Sequence, residues 1–117
     1  MSPLDDWFER HVEPQRGVLL AARTILLQHL PVRLDEQLGW GVPTYRSRAA
    51  GKKLCYLNVA KDGEVYLGFV YGLHIRMPFL HADGRRKVRI LPLRAGKDLP
   101  IRQLAEAVRA SEQWCLR

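Results

Sequence analysis

The residues able to do chemistry are few in this chain, and their spacing limits what they can do. His74, His81 and Asp83 lie close together in sequence and could supply metal ligands, but they match neither HExxH nor another regular ligand spacing and read as polar loop residues. The adjacent carboxylates Asp5/Asp6 and Asp35/Glu36 fall in helix-like segments, where neighbours in sequence do not face each other, so no acid/base pair is expected. Cys55 and Cys115 are the two cysteines. Without CxxC or Cys/His spacing they suggest no zinc site. One sits in an apolar strand pattern and the other in a helical stripe, as small hydrophobes do. Gly68-Phe69-Val70-Tyr71-Gly72 carries no nucleophile, and the chain has no G-x-S-x-G, phosphate loop or dinucleotide fingerprint. We therefore expect no catalytic residue, no metal site and no cofactor.

Binding is better represented. The run Leu38-Gly39-Trp40-Gly41-Val42-Pro43-Thr44-Tyr45 is answered by Tyr66-Leu67-Gly68-Phe69-Val70-Tyr71-Gly72. Strand alternation puts Tyr56 and Tyr66 on the face opposite Leu57 and Leu67, so both faces of this hairpin carry apolar surface. Gly68 leaves a gap between Tyr66 and Val70 where a ligand or another backbone can approach. Trp40, Tyr45, Tyr56, Tyr66 and Gly68 are the candidate ligand-binding residues, with Tyr66 as the wall and Gly68 as the floor of a cleft. An unknown small molecule or protein would fill that cleft, or a homodimer would close it, because monomers rarely leave large apolar patches in water.

Arg85, Lys87 and Arg89 alternate, and on a strand would form a basic stripe suited to an anion. Nucleic acid is the weaker expectation for that stripe, because no helix-turn-helix, zinc finger or RNA-binding aromatic motif accompanies it. Charges on an edge strand also discourage aggregation.

The elements that must position these residues can be read from the pattern. The chain has 117 residues, 47% hydrophobic and 26% charged, with a formal charge of +7, as befits one globular domain over 1–117. No stretch approaches the roughly 20 apolar residues of a membrane span. The acidic start lacks the regions of a signal peptide, so a cytoplasmic location and no membrane partner are expected. Asp5 to His11 reads as a short helix and Pro14 to Leu30 as a long one with a broad apolar stripe. Leu34 and Leu38 predict a third helix from Arg33, stopped by Gly39, with Trp40 buried where that helix meets the sheet. Strands follow at 42–46, 54–60 and 65–71, the last two joined by an Asp-Gly hairpin loop. A turn at 77–80 precedes a strand over 87–93, which Pro92 places near an edge. Asp98 is expected to cap a final helix lined by Ile101, Leu104, Val108, Ser111 and Cys115. The order predicts an α+β fold, an antiparallel β-sheet of four or five strands packed against N-terminal and C-terminal helices. Strand order beyond the 54–71 hairpin is not encoded in the pattern.

With these elements in place, the chain resembles the YdhG-like domain family of small, mostly uncharacterised bacterial domains. The likeness rests on Trp40-Gly41-Val42-Pro43-Thr44-Tyr45, the strand at 54–60, Leu67-Gly68-Phe69 with Tyr71-Gly72, and Asp83-Gly84-Arg85-Arg86-Lys87-Val88-Arg89. It covers nearly the whole chain and is weakest before about Pro14. The resemblance implies a compact α+β domain, and since some members are described as frataxin-like iron chaperones, iron carriage as an alternative role. That role would need hard oxygen ligands, for which Asp5, Glu9 and Glu13 repeat every four residues along one helical row. The same residues also read as a solvated helix face, and the positive net charge opposes collecting cations.

Overall fold

The computed structural model describes residues 2–117. Helix α1 (Pro3–Glu9) starts where Ser2 Oγ accepts the Asp5 N–H at 3.1 Å, with Asp5 and Asp6 in the first turn at the positive end of the helix. It buries Trp7 and Phe8. Helix α2 (Gln15–Gln28) buries Leu19, Ala22, Ile25 and Leu26 along one stripe. Neither it nor any other helix among the described residues is long and apolar enough to cross a membrane.

Five strands follow: β1 (Leu34–Gly39), β2 (Val42–Ser47), β3 (Lys53–Val59), β4 (Val65–Phe69) and β5 (Arg89–Leu93). They pair in sequence order, every neighbour antiparallel. The short helix α3 (Gly72–Ile75) opens the long β4–β5 connection. The expected turn at 77–80 comes after it, closed by Leu80 N–H donating to Met77 O at 3.1 Å. Helix α4 (Ile101–Cys115) ends the chain and buries Leu104, Ala107, Val108 and Ser111. The result is the expected α+β fold, with five strands in a meander.

Two local expectations need correction. The segment at 34–39 is strand β1, not a helix. Leu34 and Leu38 share a face at either the helical or the strand period, and strand alternation puts Glu36 between them on that face, where its partners satisfy the carboxylate. Its carboxylate takes Arg23 Nη2 at 2.8 Å and the Tyr45 hydroxyl at 2.7 Å. At α4 the N-cap position belongs to Pro100, not Asp98, and no side chain caps it.

The core lies between the sheet and the helices. Cys55, Leu57, Val65, Leu67, Phe69, Leu91 and Leu93 from the sheet meet Phe8, Leu19, Leu26, Leu104 and Val108 from the helices. Burial of Cys55 pushes its thiol well above the usual range, as expected of an unreactive core thiol.

Candidate binding site on the open face of the sheet

Helices α1, α2 and α4 pack on one face of the sheet. The register sets Val42, Thr44, Tyr56, Asn58, Tyr66, Gly68 and Ile90 on the opposite face. What rises beside that face is a turn and a loop. The turn is Trp40-Gly41, the two-residue connection between β1 and β2, with φ of +56° and +77°. Positive φ at both positions is the geometry of the tight hairpin turn that matches strand twist. Glycine adopts it freely, whereas a bulky residue there is a true outlier. The sequence places Trp40 in the core; the structure leaves it 66% exposed. The turn lifts the indole above the sheet and away from the helices.

From Trp40 a row of rings crosses the face. Trp40 and Tyr56 meet edge to face with centroids 6.2 Å apart, and Tyr56 meets Tyr66 in the same manner at 6.1 Å. These are favourable aromatic geometries. Lys53 Nζ lies 4.7 Å from the Trp40 ring centroid at one end, and the Arg85 guanidinium 5.2 Å from that of Tyr66 at the other. Burial first, then the neighbouring Tyr66, push the Tyr56 phenol up, while Arg85 pulls it down. Between the rings lies a groove of about 370 Å³ lined by Trp40, Val42, Tyr56, Asn58, Tyr66, Val70 and Val88. Asn58 Oδ1 already accepts the Val59 N–H at 2.8 Å, leaving its amide NH₂ as a donor on the groove wall.

A second groove, about 350 Å³, adjoins the first across Trp40 and Val70 and is lined by Gln37, Arg46, Lys52 and Lys53. No acidic residue lines either groove. Beyond Tyr66 lies a larger, more polar cavity of about 640 Å³ containing Asp62, Glu64, Asp83, Arg85 and Arg94. Its charges are largely paired, Arg85 with Asp83 at 3.0 Å and Arg94 with Glu64 at 3.3 Å. Arg46, Lys52 and Lys53 have no carboxylate partner among the described residues.

Of the ligand-binding candidates, Trp40, Tyr56 and Tyr66 come together and Tyr45 does not. Tyr45 is fully buried on the helix side, donating to Glu36. Burial, then Glu36, push its phenol far above the usual range. Gly68 is not an open floor, because Tyr56 lies across it. An added Cβ would overlap Tyr56 Cζ and Cε1 and fall 2.6 Å from Oη.

The basic stripe is also different. Strand β5 begins at Arg89, so Arg85 and Lys87 lie in the preceding loop and the three do not share a strand face. Arg85 covers Tyr66, Lys87 is exposed, and Arg89 Nη1 donates to the carbonyls of Arg85, Arg86 and Val88. Lys53, Arg46 and Asn58 belong to the site and escape sequence reasoning. Alternation through β2 and β3 is the signal that puts Arg46 and Asn58 on the face of Tyr56.

The expected carboxylate row is broken, because α1 ends at Glu9 while Glu13 lies in its link to α2, and all three side chains are engaged by arginines. Asp5 meets Arg23 at 3.3 Å, while Glu9 and Glu13 meet Arg16 at 3.6 and 3.8 Å. The hydrogen bond from Ser2, then Arg23, hold the Asp5 carboxyl below its usual range. Among the described residues no three His, Cys, Asp or Glu side chains converge as a metal site would require. His74 is instead stacked on Trp114, with centroids 4.4 Å apart and planes 4° from parallel.

In comparisons with known proteins, no family model, curated protein or solved structure matches the chain.

Proposed function

We propose that this is a non-catalytic binding domain that holds a planar, negatively charged ligand on the helix-free face of its sheet. One observation carries the reading: Trp40, the largest side-chain type, stands exposed at a backbone position that disfavours it. A conformation of this kind costs roughly 1–3 kcal/mol, and residues held in it cluster at functional sites. The rest of the face agrees with that use. Trp40, Tyr56 and Tyr66 offer π surface, and unpaired Arg46, Lys52 and Lys53 offer positive charge beside it. A groove of about 370 Å³ falls within the range of ordinary ligand sites. The segments that carry the YdhG-like resemblance supply Trp40 and its turn, Tyr56, Gly68 and the Arg85 loop, so that likeness and this reading point to the same surface.

Two probes of equal charge test it: naphthalene-2-sulfonate, which is planar, and cyclohexanesulfonate, which is not. Calorimetric titration should show the planar anion binding at least tenfold more tightly, and Trp40→Ala should remove that preference while the protein stays folded. Equal affinities, or a preference that survives Trp40→Ala, would contradict the proposal.

A further inference from the structure

The geometry points to single-stranded nucleic acid as the ligand of this face, with a base against Trp40 and the adjoining phosphates held by Arg46, Lys52 and Lys53. The inference rests on the binding-face reading above and names its ligand. Single-strand binders combine a positive groove that follows the backbone with aromatic side chains on which bases stack. An antiparallel sheet with helices behind it and rings in front is one established way of presenting such a platform.

Here the two requirements occur side by side. Trp40 and Val70 separate the ring-lined groove from the basic one, so a base in the first would place its phosphate toward the second. Lys53 lines the basic groove, and its ammonium lies over the indole that borders both. The Asn58 amide offers a hydrogen-bond donor to a base edge, which bears acceptors on every nucleobase.

Charge selects among the alternatives. An acidic peptide would satisfy the cations and leave the rings without a planar partner. A symmetric dimer closed at Trp40 would set Arg46, Lys52 and Lys53 against their own copies, with no carboxylate in either groove to relieve them. A duplex keeps its bases stacked and presents mainly phosphate, so it would use the cations and not the rings.

Fluorescence anisotropy with a short labelled oligothymidylate tests the inference on the full chain. The single strand should bind more tightly than a duplex of equal length or inorganic polyphosphate. Trp40→Ala should weaken it on the order of tenfold, the scale of one lost base–aromatic stack. Lys53→Ala should lower the log-affinity versus log-salt slope by about one. Circular dichroism and melting of each variant separate lost binding from lost fold, and Trp40→Phe, which keeps a ring, should retain most of the affinity. Polyphosphate or duplex binding as tight as the single strand would overturn the inference, as would an affinity indifferent to Trp40. So would a dimer in sedimentation that Trp40→Ala dissociates. If oligothymidylate fails while naphthalene-2-sulfonate still binds at Trp40, the nucleic-acid inference alone falls. If both fail, the binding-face reading falls with it.

Discussion

Tyr56 lies across Gly68, its direct partner on the neighbouring strand, and its ring occupies the space a side chain there would need. The missing Cβ lets Tyr56 settle onto the sheet between Trp40 and Tyr66. Gly68→Val should therefore expel Tyr56 and destabilise the domain by about 1–3 kcal/mol, the usual cost of overpacking. In the Tyr56→Ala background the same substitution should cost much less. Chemical denaturation of the four proteins in this cycle measures the coupling, and additive effects would show that the two residues do not share that space.

Trp7 should be costly to replace and Trp40 should not. Trp7 is 4% exposed in the core, and Trp7→Ala should cost about 3–5 kcal/mol. Trp40→Asn places a residue tolerant of left-handed backbone before Gly41. Relief of roughly 1–2 kcal/mol of backbone cost offsets the missing edge-to-face packing on Tyr56, so stability should stay within about 1 kcal/mol of wild type. A large drop in stability in Trp40→Asn would mean that the indole serves the fold and not a ligand.

Glu36 on β1 accepts from Arg23 on α2 and Tyr45 on β2, and Arg23 extends the cluster to Asp5 on α1. Its side chain is only 8% exposed, so removing it leaves Arg23 without its closest counter-charge. Glu36→Ala should cost about 3 kcal/mol, less whatever solvent returns to Arg23, which keeps a quarter of its surface exposed. Tyr45→Phe deletes one charge-assisted bond and should cost about 1.5–3 kcal/mol. Urea unfolding reads both, and a Glu36→Ala protein as stable as wild type would contradict the role assigned to this cluster.

His11 supplies a pH dependence. Its ring packs on Trp7 with centroids 4.4 Å apart, and Nε2 is buried without a hydrogen-bond partner. Burial first, then the charge of Arg10, hold its pKa below the ordinary 6.5. The folded state prefers the neutral ring, so the unfolded chain takes up the proton first as pH falls. The His11 contribution to stability is therefore complete above 6.5, declines as pH drops through that value, and levels off below the folded pKa. Melting temperature followed from about pH 8 to about pH 5 should fall more in wild type than in His11→Gln over this window. Parallel curves would contradict the assignment.

Much of this architecture can be read from residue order, and the places where it cannot share a cause. The α2 and α4 stripes and the β3–β4 hairpin are marked by apolar periods. Strand β1 is hidden because its central core-facing residue is Glu36, whose partner Arg23 lies on α2. Once β1 is misread as a helix, Trp40 loses its place in a hairpin turn and falls into the core by default. Tyr45 carries no mark of its side until β1 pairs with β2, and Lys53 gains its meaning only when it meets Trp40. Tyr56 and Tyr66 are legible because simple alternation within the hairpin fixes their face. The basic loop is not, because alternation in Arg85, Lys87 and Arg89 means nothing outside a strand.

The most direct measurement uses the chain's three tryptophans as separate reporters. With 5-fluorotryptophan incorporated, Trp7 reports the core, Trp40 the open sheet face, and Trp114 the stack between His74 and Arg117. Trp40→Phe and Trp114→Phe assign the fluorine resonances. On titration with naphthalene-2-sulfonate, the Trp40 resonance should move saturably while those of Trp7 and Trp114 stay in place. Movement confined to Trp114, or no movement of Trp40 at saturation, would contradict a binding role for this face.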